Sequence, residues 1–446
     1  MRFFLPGVHV PHRKTTADMP AERMPSPAEV VIPMLMHIGK PAVPVVSVGD
    51  EVFVGTLIAK KDGFVSSPIY SSVSGKIKSI SEITAANGQK VLAVKIESDG
   101  QMTKDPNITA PTVTDTEGLI TAICESGTVG LGGAGFPTYV KFSIPEGKSA
   151  DTLLINGAEC EPYITSDTRT MIDKSEDMLR GISVICDLLD IKRVIIGIES
   201  NKKAAIESMR AMAAKRSGIE VAVLPSVYPQ GGEKVLIYHT LGRVVPAGKL
   251  PIDVGCIVSN CTTVAAIGNY INTGMPLVSK CVTVAGGAVK EPKNVIVPIG
   301  TAISKVIEFA GGFSESPYTV LLGGPMMGQA VDNLDVVVSK GTNAVLALTE
   351  KEVSPKKETA CIHCGACANH CPFGLNPAAF MKAYRLGNSE ELARLRVDIC
   401  MECGCCSFVC PAAKPLIETN KLAKVKLRAY LDEKKKLAEA SAEAKK

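Results

Sequence analysis

Eight of the fifteen cysteines fall into two copies of one spacing. Cys361-x2-Cys364-x2-Cys367-x3-Cys371-Pro372 is followed by Cys400-x2-Cys403-x2-Cys406-x3-Cys410-Pro411. Such a run wraps a [4Fe–4S] cube, with three thiolates from one tight loop and a fourth from beside a neighbouring cube. Two copies imply two clusters with one ligand exchanged between them. Cys361, Cys364, Cys367 and Cys410 are the set for one; Cys400, Cys403, Cys406 and Cys371 are the set for the other. Zinc also takes all-thiolate sites built on Cys-x2-Cys pairs. It needs only four ligands, however, and does not call for a further cysteine and a Cys-Pro in each run. The spacing therefore points to one-electron transfer. Cys405 is off register and reads as a packed spare thiol. His363 and His370 read as neighbours, because a histidine-ligated cluster needs a different arrangement.

A second constellation is Gly130-Leu131-Gly132-Gly133-Ala134-Gly135-Phe136-Pro137-Thr138-x2-Lys141. Dense glycine lets backbone approach a ligand closely and turn successive N–H groups toward a phosphate, with Lys141 as counter-charge. It is not a Walker loop, since Gly-Lys-Ser/Thr is missing, and it is out of register with Gly-x-Gly-x-x-Gly. Three further segments carry polar groups in loops: Asn156-Gly157-Ala158-Glu159-Cys160-Glu161-Pro162, Tyr228-Pro229-Gln230-Gly231-Gly232-Glu233 and Ser259-Asn260-Cys261-Thr262-Thr263.

Elements to position these groups are legible. Leu153-Leu154-Ile155, Arg193–Ile198 and Glu220–Leu224 read as strands, with helices at Thr170–Leu189 and Lys202–Lys215 between them. Apolar strands alternating with helices predict a parallel α/β sheet, whose ligands sit beyond the carboxyl ends of the strands. Upstream, residues 40–80 read as a small β-domain with turns at Val48–Val52 and Val73–Ile77. Residues 275–330 read as β-β-α-β, for which a β-grasp is the compact solution. Glu350–Glu358, charged and holding Pro355, reads as a linker. Helices at Pro377–Tyr384 and Ser389–Leu395 make the cysteine region α-helical.

With 446 residues several domains are expected. No apolar run approaches a membrane span, and the start Met1-Arg2-Phe3-Phe4-Leu5-Pro6-Gly7 breaks too early for a signal peptide. Cysteines used as cluster thiolates or scattered singly fit a reducing cytosol better than a disulfide scaffold. The net charge of +4 is concentrated in the tail, where Lys414–Lys446 holds ten Lys/Arg against five Asp/Glu. That stretch reads as a solvated basic helix or a docking segment for an acidic or anionic surface. Nothing supports nucleic-acid binding.

The four loop segments, in this order, resemble the NADH-binding flavoprotein subunit of respiratory complex I, through the core Gly-Gly-Ala-Gly-Phe-Pro-Thr-x-x-Lys. The resemblance implies FMN held by Gly130, Gly132, Gly133, Lys141, Asn156, Glu159, Tyr228, Glu233, Asn260 and Thr263. It implies Phe136 stacking on NAD(H) and Glu161 approaching it. Ala158, Gly232 and Ser259 stand where that family usually has Asp, Glu and Asn. Residues 40–80 resemble the barrel-sandwich hybrid of lipoyl and biotinyl carriers. The hairpin tip lies near Asp62-Gly63, so the segment reads as a structural or docking module rather than a lysine carrier.

The whole order resembles the C subunits of the Rnf complex, a membrane-bound ferredoxin:NAD oxidoreductase that moves Na+ or H+. The resemblance implies a multidomain α/β chain. Residues 1–105 would hold the barrel-sandwich hybrid, and 110–268 a Rossmann-like FMN/NAD domain. A β-grasp (SLBB) domain at 270–345, a two-cluster ferredoxin-type domain at 352–430 and a basic tail at 431–446 would follow. It implies two [4Fe–4S] clusters, FMN and NAD(H). The partners would be membrane-embedded and iron–sulfur Rnf subunits and, indirectly, ferredoxin, with the chain peripheral on the cytoplasmic side of the membrane. Soluble flavin and iron–sulfur reductases similar to cobalamin reductases share the later modules but usually lack the barrel-sandwich segment. A scaffold with an unused nucleotide site is the non-enzyme alternative.

Overall fold

The computed structural model describes residues 5–133 and 135–443. The opening Met1–Phe4, Ala134 of the glycine loop and the last residues of the basic tail lie outside the described residues. The chain forms two compact units. One comprises Met1–Val10, Val227–Lys249 and Pro355–Lys446; the other comprises Pro11–Ser226 and Leu250–Ser354.

The larger unit holds a parallel sheet with strands in the order Ile219–Leu224, Arg193–Glu199, Thr152–Asn156 and Cys256–Asn260. Val194–Ile198 and Leu153–Ile155 are buried on both faces, as a sheet covered by helices requires. The sequence suggested one helix from 170 to 189. The structure instead breaks it at Lys174, giving Ser166–Asp173 and Ser175–Leu188. The second helix crosses Cys261–Thr273 at very close range: a Cβ on Gly268 would lie 1.9 Å from the Asp177 carbonyl oxygen. Glycine is required there because two helix backbones touch, and the break lets the second helix reach that contact. Leu119, Phe142, Met178, Ile182 and Val264 fill the core beneath.

In the same unit, Glu29–Pro33, Lys90–Ser98, Gly75–Thr84 and Glu51–Val52 form one antiparallel sheet, and Val43–Pro44, Leu57–Lys60 and Ile69–Tyr70 a second. Val30, Ile32, Ile58, Ile69, Val73, Ile77 and Val94 pack between them, so the β-domain extends beyond 40–80 on both sides. Lys61 at the hairpin tip lies over the Tyr139 ring, 4.8 Å from its centroid. A six-stranded mixed sheet, with Ile303–Phe309 against it, runs Ala21–Arg23, Lys293–Pro298, Ser279–Ala285, Ala344–Leu348, Thr319–Leu322 and Gln329–Val331. The stretch expected to be a linker opens with a short helix, and within it the chain passes from the larger unit to the smaller, between Ser354 and Pro355. Glu350–Val353 is closed by a capping box in which Thr349 and Glu352 satisfy each other's backbone N–H groups.

The smaller unit is helical around the cysteines. Pro377–Arg385, Ser389–Arg394 and Leu416–Glu443 pack about Phe380, Leu392, Val397, Ala423 and Leu427. The last helix runs 28 residues and carries the basic tail residues from Leu431 to Ala440 into solvent. Among the described residues no helix is long and apolar enough to cross a membrane.

Candidate functional site

In the larger unit the chain reverses its direction of travel across the sheet between the strands Thr152–Asn156 and Cys256–Asn260. Their last residues, Asn156 and Asn260, are register partners. A crevice at such a point is where open α/β sheets hold ligands. The glycine loop closes over it as a hairpin: the Gly130 N–H donates to the Phe136 carbonyl at 2.8 Å, and the Gly135 N–H to Gly130 at 3.2 Å. Gly132 lies against Asn260, so a Cβ there would come within 2.9 Å of the Asn260 amide nitrogen. Gly133 has φ +138° and nothing within 4 Å of a would-be side chain, leaving backbone open to an incoming group. Phe136 is half-buried at the end of the loop.

Thr263 Oγ1 accepts the Leu131 N–H at 3.0 Å, fixing the loop to the start of the helix Cys261–Thr273. Asn260 Oδ1 accepts the N–H groups of Thr262 and Thr263, capping that helix. The Lys141 ammonium donates to the Val258 carbonyl at 2.9 Å, two residues before Asn260 on the same strand. Gly130, Gly132, Gly133, Lys141, Asn156, Asn260 and Thr263 thus gather at one end of the sheet.

The acidic segment is engaged differently. Glu159, at φ +45°, buries its carboxylate, which accepts the Asp167 N–H at 2.6 Å and the Thr168 hydroxyl at 2.5 Å. It therefore caps the first turn of Ser166–Asp173. Lys14 stands 4.0 Å from it and donates to the carbonyls of Glu159, Glu161 and Ile164. Burial pushes the Glu159 carboxyl up and the Lys14 ammonium down to about 8, each opposing the other's shift. Glu161 turns onto Gly324 and accepts the Met326 N–H at 3.0 Å, its other oxygen buried without a partner among the described residues. Burial pushes Glu161 up to about 7.

Asp167 has no motif to announce it. Its carboxylate takes the Asn260 amide at 2.7 Å and the Thr262 hydroxyl at 2.7 Å, and so orients the asparagine packed on Gly132. Only a contact spanning 93 residues identifies it.

In the smaller unit, Cys361, Cys364, Cys367 and Cys410 line one cavity of about 160 Å³. Cys371, Cys400, Cys403 and Cys406 line a second, of about 20 Å³. The two loops share one backbone course. His363 and Glu402 have φ +56° and +59°, and Gly365 and Gly404 have φ +73° and +79°. Each glycine precedes a short helix, Ala366–Asn369 or Cys405–Phe408, so one left-handed turn delivers three sulfurs around a common centre. Among the described residues no three His, Cys, Asp or Glu side chains converge closely enough for a single ion. Burial pushes Cys406 up to about 12, with Cys400 and Cys403 opposing its ionisation. Four such thiols become thiolates together only around strong positive charge.

Asn420, unmarked in sequence, is buried with its amide 3.7 Å from Cys400 Sγ and 4.0 Å from Cys406 Sγ. Tyr228 and Glu233 belong to this unit. The Tyr228 hydroxyl donates to the Cys403 carbonyl at 2.7 Å, and Cys405, buried, donates its thiol to the Tyr228 carbonyl at 3.9 Å. Glu233 opens the helix Glu233–Leu241. His370 donates its Nδ1–H to the Ala366 carbonyl at 2.9 Å, and His363 is exposed.

Family models match four segments in sequence. They are the RnfC barrel sandwich hybrid domain over residues 3–101, the Nuo51 FMN-binding domain over 123–269, the SLBB domain over 281–330 and a 4Fe-4S dicluster domain over 358–414. Among similar proteins, the C subunit of the proton-translocating ferredoxin:NAD(+) oxidoreductase complex of Clostridium ljungdahlii is 44% identical over 85% of this chain and 83% of its own length. The C subunit of the Na(+)-translocating complex of Acetobacterium woodii is 42% identical over 84% of this chain and 85% of its own. The C subunit of the ion-translocating oxidoreductase complex of Rhodobacter capsulatus is 40% identical over 94% of this chain and 82% of its own. A chain of an NAD+-reducing [NiFe]-hydrogenase shares the fold with a TM-score of 0.51 at 19% identity. That match covers 71% of this chain and 64% of the other, less than two thirds of its length. Matching domain order and identity over most of both sequences place this chain in the family of C subunits of the ion-translocating ferredoxin:NAD(+) oxidoreductase complex.

Proposed function

We propose that this chain is the NAD(H)-reacting subunit of a membrane-bound, ion-translocating electron-transport complex. It passes electrons between NAD(H), FMN and two [4Fe–4S] clusters, and through partner subunits to ferredoxin-derived carriers. The observation that carries this reading is one chain holding both a glycine-loop crevice at a sheet reversal point and two four-cysteine cavities. FMN, when bound, supplies the conversion between hydride and single electrons that clusters cannot perform.

The polypeptide's own contribution is placement. Gly130, Gly132 and Gly133 present backbone to the flavin, and the helix that starts at Asn260 and Thr263 turns the positive end of its dipole toward the phosphate. Lys141 supplies positive charge beside Asn156, and Glu159 acts by fixing the acidic loop. Phe136 and Glu161 are assigned to the nucleotide. The first cluster falls to Cys361, Cys364, Cys367 and Cys410, and the second to Cys371, Cys400, Cys403 and Cys406. The chain would sit on the cytoplasmic face as a peripheral subunit, joined to membrane-embedded and iron–sulfur partners. The domain limits 1–105, 110–268, 270–345, 352–430 and 431–446 belong to the same proposal.

An anaerobic NADH titration of the reconstituted chain, followed by optical and EPR spectra, tests the reading. Bleaching of flavin absorbance is expected. Absence of any reaction with FMN demonstrably bound would refute NAD(H) chemistry in this subunit.

A further inference from the structure

The larger unit contains a cavity of about 390 Å³ with Leu131 of the glycine loop and Thr262 in its wall. Its other walls include the helices Ser166–Asp173 and Cys261–Thr273, the strand Ser279–Ala285, and single residues such as Arg23, Lys104 and Ile296. The size is that of a small-molecule site. Its electrostatics are unbalanced. Asp173 is bound by Arg169, and Asp177 by Arg180 at 2.9 Å and Lys174 at 4.0 Å, so both acids are already neutralised. Arg23 and Lys104 line the cavity with no acidic partner among the described residues. Lys280, 3% exposed, finds one hydrogen-bond acceptor among the described residues, the Leu131 carbonyl at 3.3 Å.

An ammonium carries three donors, and burying it with one neutral acceptor is costly. Asp167 lies within electrostatic reach of Lys280 and offsets part of that cost, but its oxygens bond Asn260 and Thr262 and give Lys280 no hydrogen bond. Burial accordingly holds the Lys280 ammonium below its ordinary range. An anion in the cavity would satisfy it. The wall also carries an apolar part, Ala265, Ala266, Pro276, Leu277 and Ile296, beside the polar Thr170, Thr262 and Asn269. An inorganic ion would leave that wall uncovered.

We propose that this cavity binds a small organic anion, a phosphate monoester or carboxylate on an apolar body, with Lys280 as its counter-charge. Because Lys280 also holds the Leu131 carbonyl, the occupant braces the glycine loop through that lysine.

The test is calorimetric titration of the FMN- and cluster-loaded chain with phenyl phosphate, in saturating NAD+ so that the nucleotide site is filled. Saturable binding at one site per chain is expected. Lys280→Met should weaken it by about tenfold or more, the loss of a charged hydrogen bond. Ala266→Trp should abolish it, because the ring would occupy the cavity from a helix surface that needs no repacking. Inorganic phosphate should bind about tenfold or more weaker, lacking the apolar contact. Undetectable phenyl phosphate binding, or binding unchanged in both variants, would overturn the proposal; so would equal affinity for inorganic phosphate.

Discussion

Replacing Lys14 by methionine keeps the unbranched stem and deletes the charge that holds the acidic loop. The ammonium spends its protons on three carbonyls, at 2.9 Å for Glu159, 3.0 Å for Glu161 and 2.5 Å for Ile164. It is also the cation beside a Glu159 side chain that is 3% exposed. Removing one partner of a buried pair typically costs about 3–5 kcal/mol, because the remaining charge has neither water nor counter-ion. The lost carbonyl contacts act in the same direction, at about 1 kcal/mol each where water cannot replace them. Protonation of Glu159 offsets part of the loss, since burial already pushes its carboxyl up. A net loss of about 3–5 kcal/mol follows, and at about 2–4 °C per kcal/mol the melting temperature should fall by roughly 6–20 °C. Scanning calorimetry of the FMN-loaded protein reads it. The double variant Lys14→Met/Glu159→Gln should melt above Lys14→Met, because the stranded charge is gone. In the single variant Glu159 binds protons more tightly folded than unfolded, so its deficit should narrow toward acidic pH. A Lys14→Met melt within about 2 °C of the parent, or a double variant no more stable than the single, would refute the pairing.

Four shorter predictions follow from the two sites. Lys141→Ala should weaken FMN retention by about 1.5–3 kcal/mol, or roughly ten- to a hundredfold, through loss of a phosphate counter-charge; unchanged flavin occupancy on gel filtration would exclude that placement. Cys410→Ser should damage the cluster of Cys361, Cys364 and Cys367, and iron analysis with EPR showing loss only at Cys400, Cys403 and Cys406 would contradict the exchange. Asn420→Leu removes the amide near two sulfurs of the second cluster and should lower its potential, since hydrogen bonds to sulfur favour the more reduced, more negative state; an unmoved EPR redox midpoint would show that the amide does not act on the cluster. Glu161, pushed from 4.5 up to about 7, binds more protons folded than unfolded, so its contribution to stability falls as pH rises across that window. The shift corresponds to about 3 kcal/mol, and Glu161→Gln should flatten the pH dependence of melting by that amount; equal slopes in parent and variant would rule it out.

The cysteine loops were readable from spacing alone because cube ligation is local: three sulfurs and a left-handed glycine lie within one short turn. The parallel sheet was readable because strands buried on both faces leave uninterrupted apolar runs such as Val194–Ile198. What escaped has no periodicity. Lys14, Asp167 and Asn420 act through polar contacts to residues 145, 93 and 20 positions away. A polar residue at a loop or helix start reads the same whether it meets water or a buried partner. The helix break at Lys174 escaped for a related reason. The helix after the break makes the backbone contact of Asp177 with Gly268 on another helix, and no local propensity encodes such a contact. The helix Glu350–Val353 was masked by Pro355, which lies just beyond its end and begins the unit that holds the cysteines.

Two positions that differ from the flavoprotein pattern show what the structure asks of this chain. Ala158 is fully buried, with its N–H on the Asn156 side chain at 3.2 Å. An aspartate there would be a carboxylate without solvent, so alanine is the residue the packing accepts. Gly232 lies against Met401, between two cysteines of the second cluster loop, and a Cβ would stand 2.4 Å from its methyl carbon. A glutamate would therefore push Met401 aside. The same segment is tied to that loop by the bonds of Tyr228 with Cys403 and Cys405. Tyr228–Glu233 is thus shaped to the second cluster as closely as to any flavin role. A change within it should be read first in that cluster's EPR spectrum, before any change in flavin content is ascribed to lost flavin contacts.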